Sequence, residues 1–288
     1  MNFFLNKILA VVVLYNEDLV KSNTFISICN AIPEGQVLEL LVYDNSPKKT
    51  NSDKIQNEKF IIHYYHDHRN SGVSAAYNYG ARFAKENNKE WLLILDQDTF
   101  FDENLLEEYF RAINEYNDIS LFAPVLKIKD GIILSPCKFD FYGRHLKTIK
   151  PGVSSFFINS PINSGILVKI TAFEEAGGYN ERVPLDLSDH QFIERFKYIN
   201  NHYVVVNSIG TQNFSAIEDN TIKQLNRFEY YCLGVFNFET KSVFKKALMI
   251  LFLILKTFKK ALKDKTLRFF MIFFAQLRAM LFSRNKKV

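Results

Sequence analysis

The sequence predicts an α/β fold, with a mostly parallel central sheet flanked by helices and followed by amphipathic helices at the C-terminal end. Short runs of Val, Ile and Leu alternate with amphipathic segments in the first half of the 288-residue chain, which is typical of βαβ units. The strand-like runs are largely apolar, as in parallel strands that are covered on both faces. Near the C-terminal end, apolar blocks stand among closely spaced lysines instead.

Turn residues delimit the expected elements of the first half. Pro33 ends the first helix, because the residue before a proline disfavours helical backbone. Asp44-Asn45-Ser46-Pro47 is a typical turn sequence after the second strand, and Asp102 is expected to cap a later helix. The predicted strands span residues 8–14, 37–43, 60–65 and 91–95, and the predicted helices span residues 17–31, 74–86 and 102–113.

The second half is more irregular. A hairpin is expected from residues 122–128 and 131–134, followed by strands at 166–170 and 203–206. Thr171-Ala172-Phe173-Glu174 and Ser188-Asp189-His190-Gln191 have the spacing of capping boxes, so a helix is predicted to start at each.

Composition excludes several classes of protein. With 48% apolar and 23% charged residues, the chain is neither disordered nor fibrous. Its three cysteines, Cys29, Cys137 and Cys232, are far apart, which argues against a disulfide scaffold or a thiolate zinc site and fits a reducing compartment. The apolar run at 8–14 is followed by Tyr15-Asn16-Glu17-Asp18 rather than by a cleavage site, so it is interpreted as a buried strand and not as a signal peptide.

Charge is divided unevenly along the chain. Residues 241–288 carry a net charge of +12, and residues 1–240 carry −7. The apolar blocks at 247–255 and 269–275 are too short to span a bilayer. Lysines surround them, which favours interfacial helices on an anionic membrane surface over helices packed on the body with a solvated basic face. No motif for binding nucleic acid accompanies the basic residues.

Polar segments follow the predicted strands, where open α/β sheets bind their ligands. Asp96-Gln97-Asp98 comes directly after a fully apolar strand. Two carboxylates there suit a hard divalent ion, Mg²⁺ or Mn²⁺, that also holds a diphosphate. Pairs of this kind also occur by chance in caps and turns.

Three further groups of residues were considered. The glycine-containing turn at 70–72 feeds a helix of small residues, but it lacks a complete dinucleotide or P-loop fingerprint. Asp186 or Asp189 could serve as a general base. The helix dipole alone, however, favours an acidic residue such as Asp189 at a helix N-terminus. His63, His66 and His68 lack a ligand partner at a recognised spacing, so a solvated or nucleotide-facing loop is favoured over zinc.

Taken together, the segments resemble glycosyltransferase family 2, and most closely its rhamnosyltransferase-like branch. The resemblance covers residues 8–235. The segments that carry it are Val11-Val12-Val13-Leu14-Tyr15-Asn16, Val42-Tyr43-Asp44-Asn45-Ser46, Asn70-Ser71-Gly72-Val73-Ser74-Ala75-Ala76-Tyr77-Asn78-Tyr79-Gly80 and Leu95-Asp96-Gln97-Asp98-Thr99, with a fifth from Ser164-Gly165 to Arg195. The resemblance implies a GT-A fold and an inverting transfer of sugar from a nucleotide donor.

The resemblance also implies roles for individual residues. The nucleotide-sugar side would comprise Tyr15, Asn16, Asp44, Asn70, Gly72 and Asp96. Asp98, with Asp96, would bind Mg²⁺ or Mn²⁺. Asp189 matches the usual catalytic base, and Asp186 and Arg195 would lie on the acceptor side. The chain departs from the branch at Gln191, where an acid is usual, and at Asn207, where a histidine is frequent.

These observations predict a metal-dependent inverting glycosyltransferase, with a GT-A domain at 1–238 and a basic, membrane-associating helical tail at 239–288. The resemblance favours rhamnose from dTDP-rhamnose as donor, and a saccharide or lipid-linked oligosaccharide as acceptor, in bacterial surface polysaccharide or lipopolysaccharide synthesis. The expected location is the cytoplasmic face of the cell membrane. The alternatives are a catalytically inactive nucleotide-sugar binding protein and, third, a nucleotidyltransferase. The oligomeric state is left open.

Overall fold

A computed structural model of the chain describes residues 2–50, 55–128, 130–212 and 221–284. The strands are β1 (Ile8–Leu14), β2 (Leu38–Asp44), β3 (Phe60–His66), β4 (Trp91–Asp96), β5 (Thr99–Phe101), β6 (Leu121–Ile128), β7 (Ile133–Ser135), β8 (Lys138–Phe139), β9 (Gly143–Arg144), β10 (Gly152–Ser155), β11 (Ile166–Lys169) and β12 (His202–Gln212). The α-helices are α1 (Asn2–Leu5), α2 (Asn23–Ala31), α3 (Val73–Glu86), α4 (Leu105–Glu115), α5 (Ile170–Glu175), α6 (Ser188–Phe196), α7 (Thr221–Asn237), α8 (Val243–Lys263) and α9 (Arg268–Arg284).

The central sheet confirms the predicted α/β class. Among the described residues its strand order is β10-β12-β6-β11-β4-β1-β2-β3, with β5 beside β12 and β7 beside β6. Strands β4, β1, β2 and β3 run parallel, and β11 is antiparallel between β4 and β6. All seven residues of β1 are buried, because separate apolar clusters cover the two faces of the sheet.

The register of the parallel strands brings their carboxyl ends level. Leu14 of β1 is opposite Asp44 of β2, which is opposite His66 of β3, and Val13 is opposite Asp96 of β4. The loops that follow these strands therefore meet at one edge of the sheet, as open parallel sheets require.

The predictions for some helix starts were wrong. Residues 17–31 form a short 3-10 helix (Leu19–Lys21) and then α2, because the Ser22 side chain accepts a hydrogen bond from Phe25 N–H and caps a new helix. The two predicted capping boxes do not form: α5 follows Lys169 and α6 follows Leu187, and neither of these N-caps makes a side-chain hydrogen bond.

Helices α7, α8 and α9 share an apolar core of their own, which includes Phe228, Cys232, Leu253 and Phe269. The predicted domain boundary after residue 238 falls between α7 and α8, and this core spans it. Helix α8 buries one stripe of side chains at a spacing of four, namely Met249, Leu253, Thr257 and Ala261. Within the described chain no helix combines the length and apolar character needed to cross a membrane.

Candidate active site

The turn after β4 holds Asp96 and Asp98, and α2 fixes its shape. The Thr24 hydroxyl donates to the carbonyl oxygen of Asp96 and accepts a hydrogen bond from Thr99 N–H at 3.2 Å. Asn23 Nδ2 donates to the carbonyl oxygen of Asp98 at 3.3 Å. These bonds hold the backbone of the turn that carries both carboxylates.

Asp96 lies where several negative charges are close together. Tyr77 donates a hydrogen bond to Asp96 Oδ1 at 2.7 Å. Burial raises the pKa of Asp96 to about 7, and the charges of Asp98 and Asp189 act in the same direction, while the bond from Tyr77 opposes them. A carboxyl group in this position favours either a proton or a cation beside it.

Asp98 contacts the last residue of β12. Gln212 Nε2 donates to Asp98 Oδ1 at 2.9 Å, while Gln212 Oε1 is buried and accepts no hydrogen bond from the described residues. Burial raises the pKa of Asp98, against the effects of Gln212 and the positive charge of Arg227. An unsatisfied buried oxygen next to a carboxylate is the kind of donor that a hard cation accepts.

The oxygen donors therefore fit a Mg²⁺ or Mn²⁺ ion at Asp96 and Asp98. Among the residues that the structure describes, no three His, Cys, Asp or Glu side chains are grouped to hold a metal on their own. Mg²⁺ commonly binds through one or two carboxylates plus substrate phosphates, which is consistent with so few protein ligands.

Tyr15 and Asn16 lie beside this turn at the end of β1. The Gln97 amide bridges to the backbone of Tyr15, accepting from Tyr15 N–H at 2.7 Å and donating to its carbonyl oxygen at 3.4 Å. The Asn16 N–H donates to Ser46 Oγ at 2.8 Å. The structure therefore brings the ends of β1, β2 and β4 together, and Tyr15 is half exposed there.

Asp44 is fully buried and organises the loop after β2. It accepts hydrogen bonds from Ser46 N–H at 2.9 Å, from the N–H and hydroxyl of Thr50, and from the Tyr64 hydroxyl at 2.5 Å. Burial favours the neutral acid, but the bonds from Ser46 and Tyr64 outweigh it and lower the pKa of Asp44. Direct contact of Asp44 with a base or ribose would require this loop to open.

Asn70 and Gly72 lie in the loop between β3 and α3, which packs on the segment that precedes α6. Asn70 has a positive φ of 51°. Gly72 has φ of 88°, and a Cβ atom there would come within 2.3 Å of the Pro184 carbonyl oxygen. Val73 N–H donates to that same oxygen at 2.8 Å. Glycine is therefore required at residue 72 by both backbone conformation and close approach.

Asp189 is the second residue of α6, and aromatic packing places this helix against the site. The Tyr77 ring packs against Tyr179 at 5.2 Å between centroids, and Tyr179 stacks on Phe192 of α6 at 4.5 Å. Since Tyr77 also binds Asp96, one chain of contacts connects the turn after β4 to the helix that carries Asp189. The negative charge of Asp189 contributes to the raised pKa of both Asp96 and Asp186.

Asp186 and Arg195 have separate surroundings. The Asp186 carboxylate is mostly buried and lies 3.4 Å from Arg227 Nη2 of α7. Arg195 instead pairs with Glu239 at 2.6 Å and donates to the carbonyl oxygens of Gly177 and Gly178, both at 3.0 Å. Asp186 thus belongs to the acidic cluster, whereas Arg195 connects α6 to the segment after α7, and its acceptor-side role stays a prediction.

The residues that depart from the branch pattern also have structural partners. The side chain of Gln191 is buried and hydrogen-bonds both the N–H and the carbonyl oxygen of Glu239. The backbone of Asn207 bonds to the side chains of Asn104 and Glu108 at the start of α4. Gln191 therefore serves to seat the segment between α7 and α8.

A cavity of about 340 Å³ lies on another face of α6. Its lining includes Phe139, Phe157 and Phe244, together with His190 and Glu194 of α6. The aspartates of the site do not line it, namely Asp96, Asp98, Asp186 and Asp189. His190 directly follows Asp189, so the cavity adjoins the proposed base without belonging to the same cluster.

Known proteins share sequence and structural features with this chain. A sequence profile described as "Glycosyl transferase family 2" matches residues 9–170, more than half of the chain. The chain belongs to glycosyltransferase family 2. Comparison with curated protein sequences finds no significant match. The matched segment includes the four strand ends described above and stops before α6.

Solved structures of other proteins share the fold. Residues 1–349 of S. aureus TarS in complex with UDP-GlcNAc have a TM-score of 0.54 and 15% identity, over 86% of this chain and 71% of TarS 1–349. The mannosyltransferase PcManGT from Pyrobaculum calidifontis, solved with GDP-Man and Mn²⁺, has a TM-score of 0.52 and 12% identity, over 80% of this chain and 63% of its own. The glycosyltransferase described here therefore has the predicted GT-A fold.

Sequence reasoning missed several residues that shape this site. Thr24, Gln97 and Gln212 act on the turn through contacts that join distant segments. Arg227 and Lys256, from α7 and α8, bring positive charge to the aspartates. The alternation of charge and apolar residues in these helices indicates amphipathic character, but not which cation faces the site.

Proposed function

We propose that this protein transfers a sugar, with inversion, from a nucleotide donor to a saccharide acceptor. The observation that carries the proposal is the meeting of Asp96 and Asp98 with Asp189 at the carboxyl edge of the parallel sheet. A chain of aromatic contacts leads from Tyr77, which binds Asp96, to Phe192 of the helix that carries Asp189, and this chain brings the carboxylates to one region. Family membership supports glycosyl transfer as the reaction.

In the proposed reaction, Asp189 accepts the proton of an acceptor hydroxyl. The acceptor oxygen then bonds to the anomeric carbon of the donor from the face opposite the nucleotide. The bond between that carbon and the phosphate oxygen breaks, and its electron pair leaves with the nucleoside diphosphate. Asp189 is suited to this step because α6 holds it beside, rather than within, the Asp96–Asp98 turn.

Asp96 and Asp98 would hold the divalent cation, with Gln212 next to them. When bound, such a cation supplies positive charge to the departing diphosphate. No protein acid is then needed to protonate the leaving group.

The finer assignments rest on the sequence resemblance to the rhamnosyltransferase-like branch. We propose rhamnose from dTDP-rhamnose as the favoured donor, and a saccharide or lipid-linked oligosaccharide as the acceptor. The product would belong to a bacterial surface polysaccharide or lipopolysaccharide. The cavity beside α6 supports a site for the acceptor, because its phenylalanine rings can stack on sugar or contact lipid, and its charged residues can bind hydroxyl groups.

We also propose that the protein is peripheral on the cytoplasmic face of the membrane. The side of α8 opposite its buried stripe exposes Leu251, Leu255, Phe258 and Leu262. These side chains lie at spacings of four, three and four residues, so they form one face, and Lys259 and Lys263 are next to them. An apolar stripe flanked by lysines matches the surface of a bilayer that contains anionic lipid.

Transfer assays on the purified protein test the central proposal. The protein is incubated with UDP-, GDP- and dTDP-sugars and a panel of saccharide acceptors, with Mn²⁺ or with a chelator. We expect nucleoside diphosphate and glycosylated product with metal only, and a loss of at least about 100-fold in kcat for Asp98→Asn, typical of lost electrostatic stabilisation. Asp118→Asn, an exposed carboxylate elsewhere, should match the wild type.

The outcomes also separate the alternatives. Nucleotide-sugar binding without any transfer would instead indicate a catalytically inactive binding protein. Release of pyrophosphate from a nucleoside triphosphate would indicate a nucleotidyltransferase. Full activity of Asp98→Asn in chelator would contradict the assigned metal role.

A further inference from the structure

Helix α7 is seated directly on the loop that leads into α6. A Cβ atom on Gly234 of α7 would come within 2.4 Å of the Asp186 carbonyl oxygen, so the two backbones are in close contact. Leu187 packs into the apolar core of α7, α8 and α9. The C-terminal helices are therefore built into the wall of the site next to Asp189.

This contact brings Arg227 to the acidic cluster. Its Nη2 atom lies 3.4 Å from Asp186 Oδ1, yet 65% of the Arg227 side chain remains exposed. The positive charge of Arg227 also opposes the burial that raises the pKa of Asp98. The loop that carries Asp186 also packs on the carboxyl edge of the sheet, because its Pro184 carbonyl oxygen accepts a hydrogen bond from Val73 N–H at 2.8 Å. The guanidinium group therefore lies beside a loop of the site.

Lys256 of α8 also brings positive charge close to Asp186. Its Nζ atom lies 3.5 Å from the centre of the Tyr231 ring, and its charge acts on Asp186. Lys256 is less exposed than Arg227, and each is within electrostatic range of the other. Two cations from the C-terminal helices thus act on Asp186 in the loop before α6.

We propose that Arg227 binds the donor diphosphate and that it exchanges Asp186 for a phosphate oxygen when the donor binds. The Arg227 side chain is exposed and its contact with Asp186 is long, at 3.4 Å, while the charge of Lys256 still acts on Asp186 when Arg227 leaves, so the exchange costs little free energy. A guanidinium group binds phosphate through two parallel hydrogen bonds, which a lysine cannot do. Lys256 adds charge that keeps the region favourable for an anion. The inference rests on the proposed sugar transfer.

Calorimetry with the full-length protein and Mn²⁺ tests this role. The probes are UDP, GDP and dTDP, each compared with its nucleoside. For the diphosphate that the wild type binds best, we expect Arg227→Ala to weaken binding at least ten-fold, with the nucleoside unaffected. Arg227→Lys should recover only part of the loss. Asp186→Asn should retain or improve diphosphate binding, because it releases Arg227.

Arg182→Ala is the matched control, because Arg182 is also a surface arginine, 60% exposed and 3.5 Å from the carboxylate of Glu239. It should bind diphosphate as the wild type does. A purely structural ion pair would instead make Arg227→Ala and Asp186→Asn equally harmful to both binding and thermal stability, and that result would overturn the proposal. So would wild-type diphosphate affinity in Arg227→Ala.

The result is distinguishable from failure of the proposed function. If the wild type binds a diphosphate through Arg227 but transfers no sugar, the proposed transfer fails and the role of Arg227 stands. If Arg227→Ala binds and transfers as the wild type does, the transfer stands and the role of Arg227 fails. Absence of nucleotide binding in the wild type would overturn both.

Discussion

At the scale of single residues, the proposed base and the cation site are distinct parts of one cluster. Asp189 lies in the first turn of α6, whereas Asp96 and Asp98 belong to a turn fixed by Thr24. Since no side-chain hydrogen bond joins these two parts among the described residues, changes in one should leave the other able to bind its ligand.

Asp189→Asn should therefore abolish transfer and spare donor binding. The amide keeps the shape of the side chain but cannot accept the hydroxyl proton at neutral pH, so kcat is expected to fall at least 100-fold, the order of a lost general base. Calorimetry with nucleoside diphosphate and Mn²⁺ should give wild-type affinity. A kcat near that of the wild type would remove Asp189 as the base.

Asp67 should make folding stability depend on pH. Its buried side chain accepts hydrogen bonds from Ser71 N–H, Arg69 N–H and the Tyr43 hydroxyl. Burial alone would raise its pKa, but these bonds lower the pKa to about 2. A folded-state pKa below the unfolded value stabilises the protein above about pH 4, and this stabilisation is lost as pH falls toward 2.

The expected loss for Asp67→Asn is about 2 kcal/mol of unfolding free energy at neutral pH. Urea unfolding of both proteins between about pH 7 and 3 measures it, and the difference should narrow as pH falls. Asp118→Asn is the control. A difference that stays constant with pH would contradict the ionised role of Asp67.

The position of the polar residues after β1, β2 and β4 could be predicted at this scale, because a polar residue directly after an apolar parallel strand has only one edge of the sheet to occupy. The positions of Arg227 and Gln212 at the site could not be predicted. Gln212 is 114 residues from Asp98 in the chain, and Arg227 is 41 from Asp186. Their contacts depend on how β12 and α7 pack, which local pattern does not specify. The burial of Asp44 likewise depends on a loop that folds back onto it.

At the scale of elements, the contact of α7 with the loop before α6 leaves no room for an added side chain on Gly234. Alanine normally stabilises a helix by up to about 1 kcal/mol relative to glycine. At Gly234, however, the added methyl group meets a backbone carbonyl oxygen rather than a flexible side chain. We therefore expect packing to outweigh helix propensity here.

Gly234→Ala should lower the melting temperature and raise the KM for donor, because α7 moves away from Asp186 and carries Arg227 with it. Gly143→Ala is the matched control, since its Cβ atom would meet only His190 Nε2, at 3.9 Å. Thermal unfolding and donor kinetics measure both effects. A Gly234→Ala protein that is more stable than the wild type would show that α7 is not held this closely.

Element boundaries were harder to predict than element types. The parallel strands were identified closely because buried apolar runs have few other uses. Helix caps were less predictable: Thr171 and Ser188 match a capping pattern, yet both lie inside the first turn of their helices, and the N-caps are Lys169 and Leu187. Tertiary packing therefore decided these starts.

At the scale of the whole molecule, the C-terminal helices have two faces with different roles. One face packs on α7 and so positions Arg227, and the other exposes an apolar stripe with lysines beside it. Sequence reasoning treated packing on the body and lying on a membrane as alternatives, but two faces of one helix can do both. Deleting the tail would therefore damage the site as well as any membrane contact, so surface variants are the better test.

Leu255→Ser combined with Leu262→Ser should weaken binding to vesicles that contain anionic lipid, while keeping the wild-type melting temperature. The two side chains are 58% and 77% exposed, so the substitutions remove apolar surface that packs on little else. Added salt should also weaken vesicle binding by the wild type, because salt screens the attraction between the lysines and the anionic lipid. Val153→Ser with Ile158→Ser, which are exposed on the body, is the matched control in co-sedimentation. Equal vesicle binding by all three proteins would assign this stripe to another partner and contradict the proposed membrane contact.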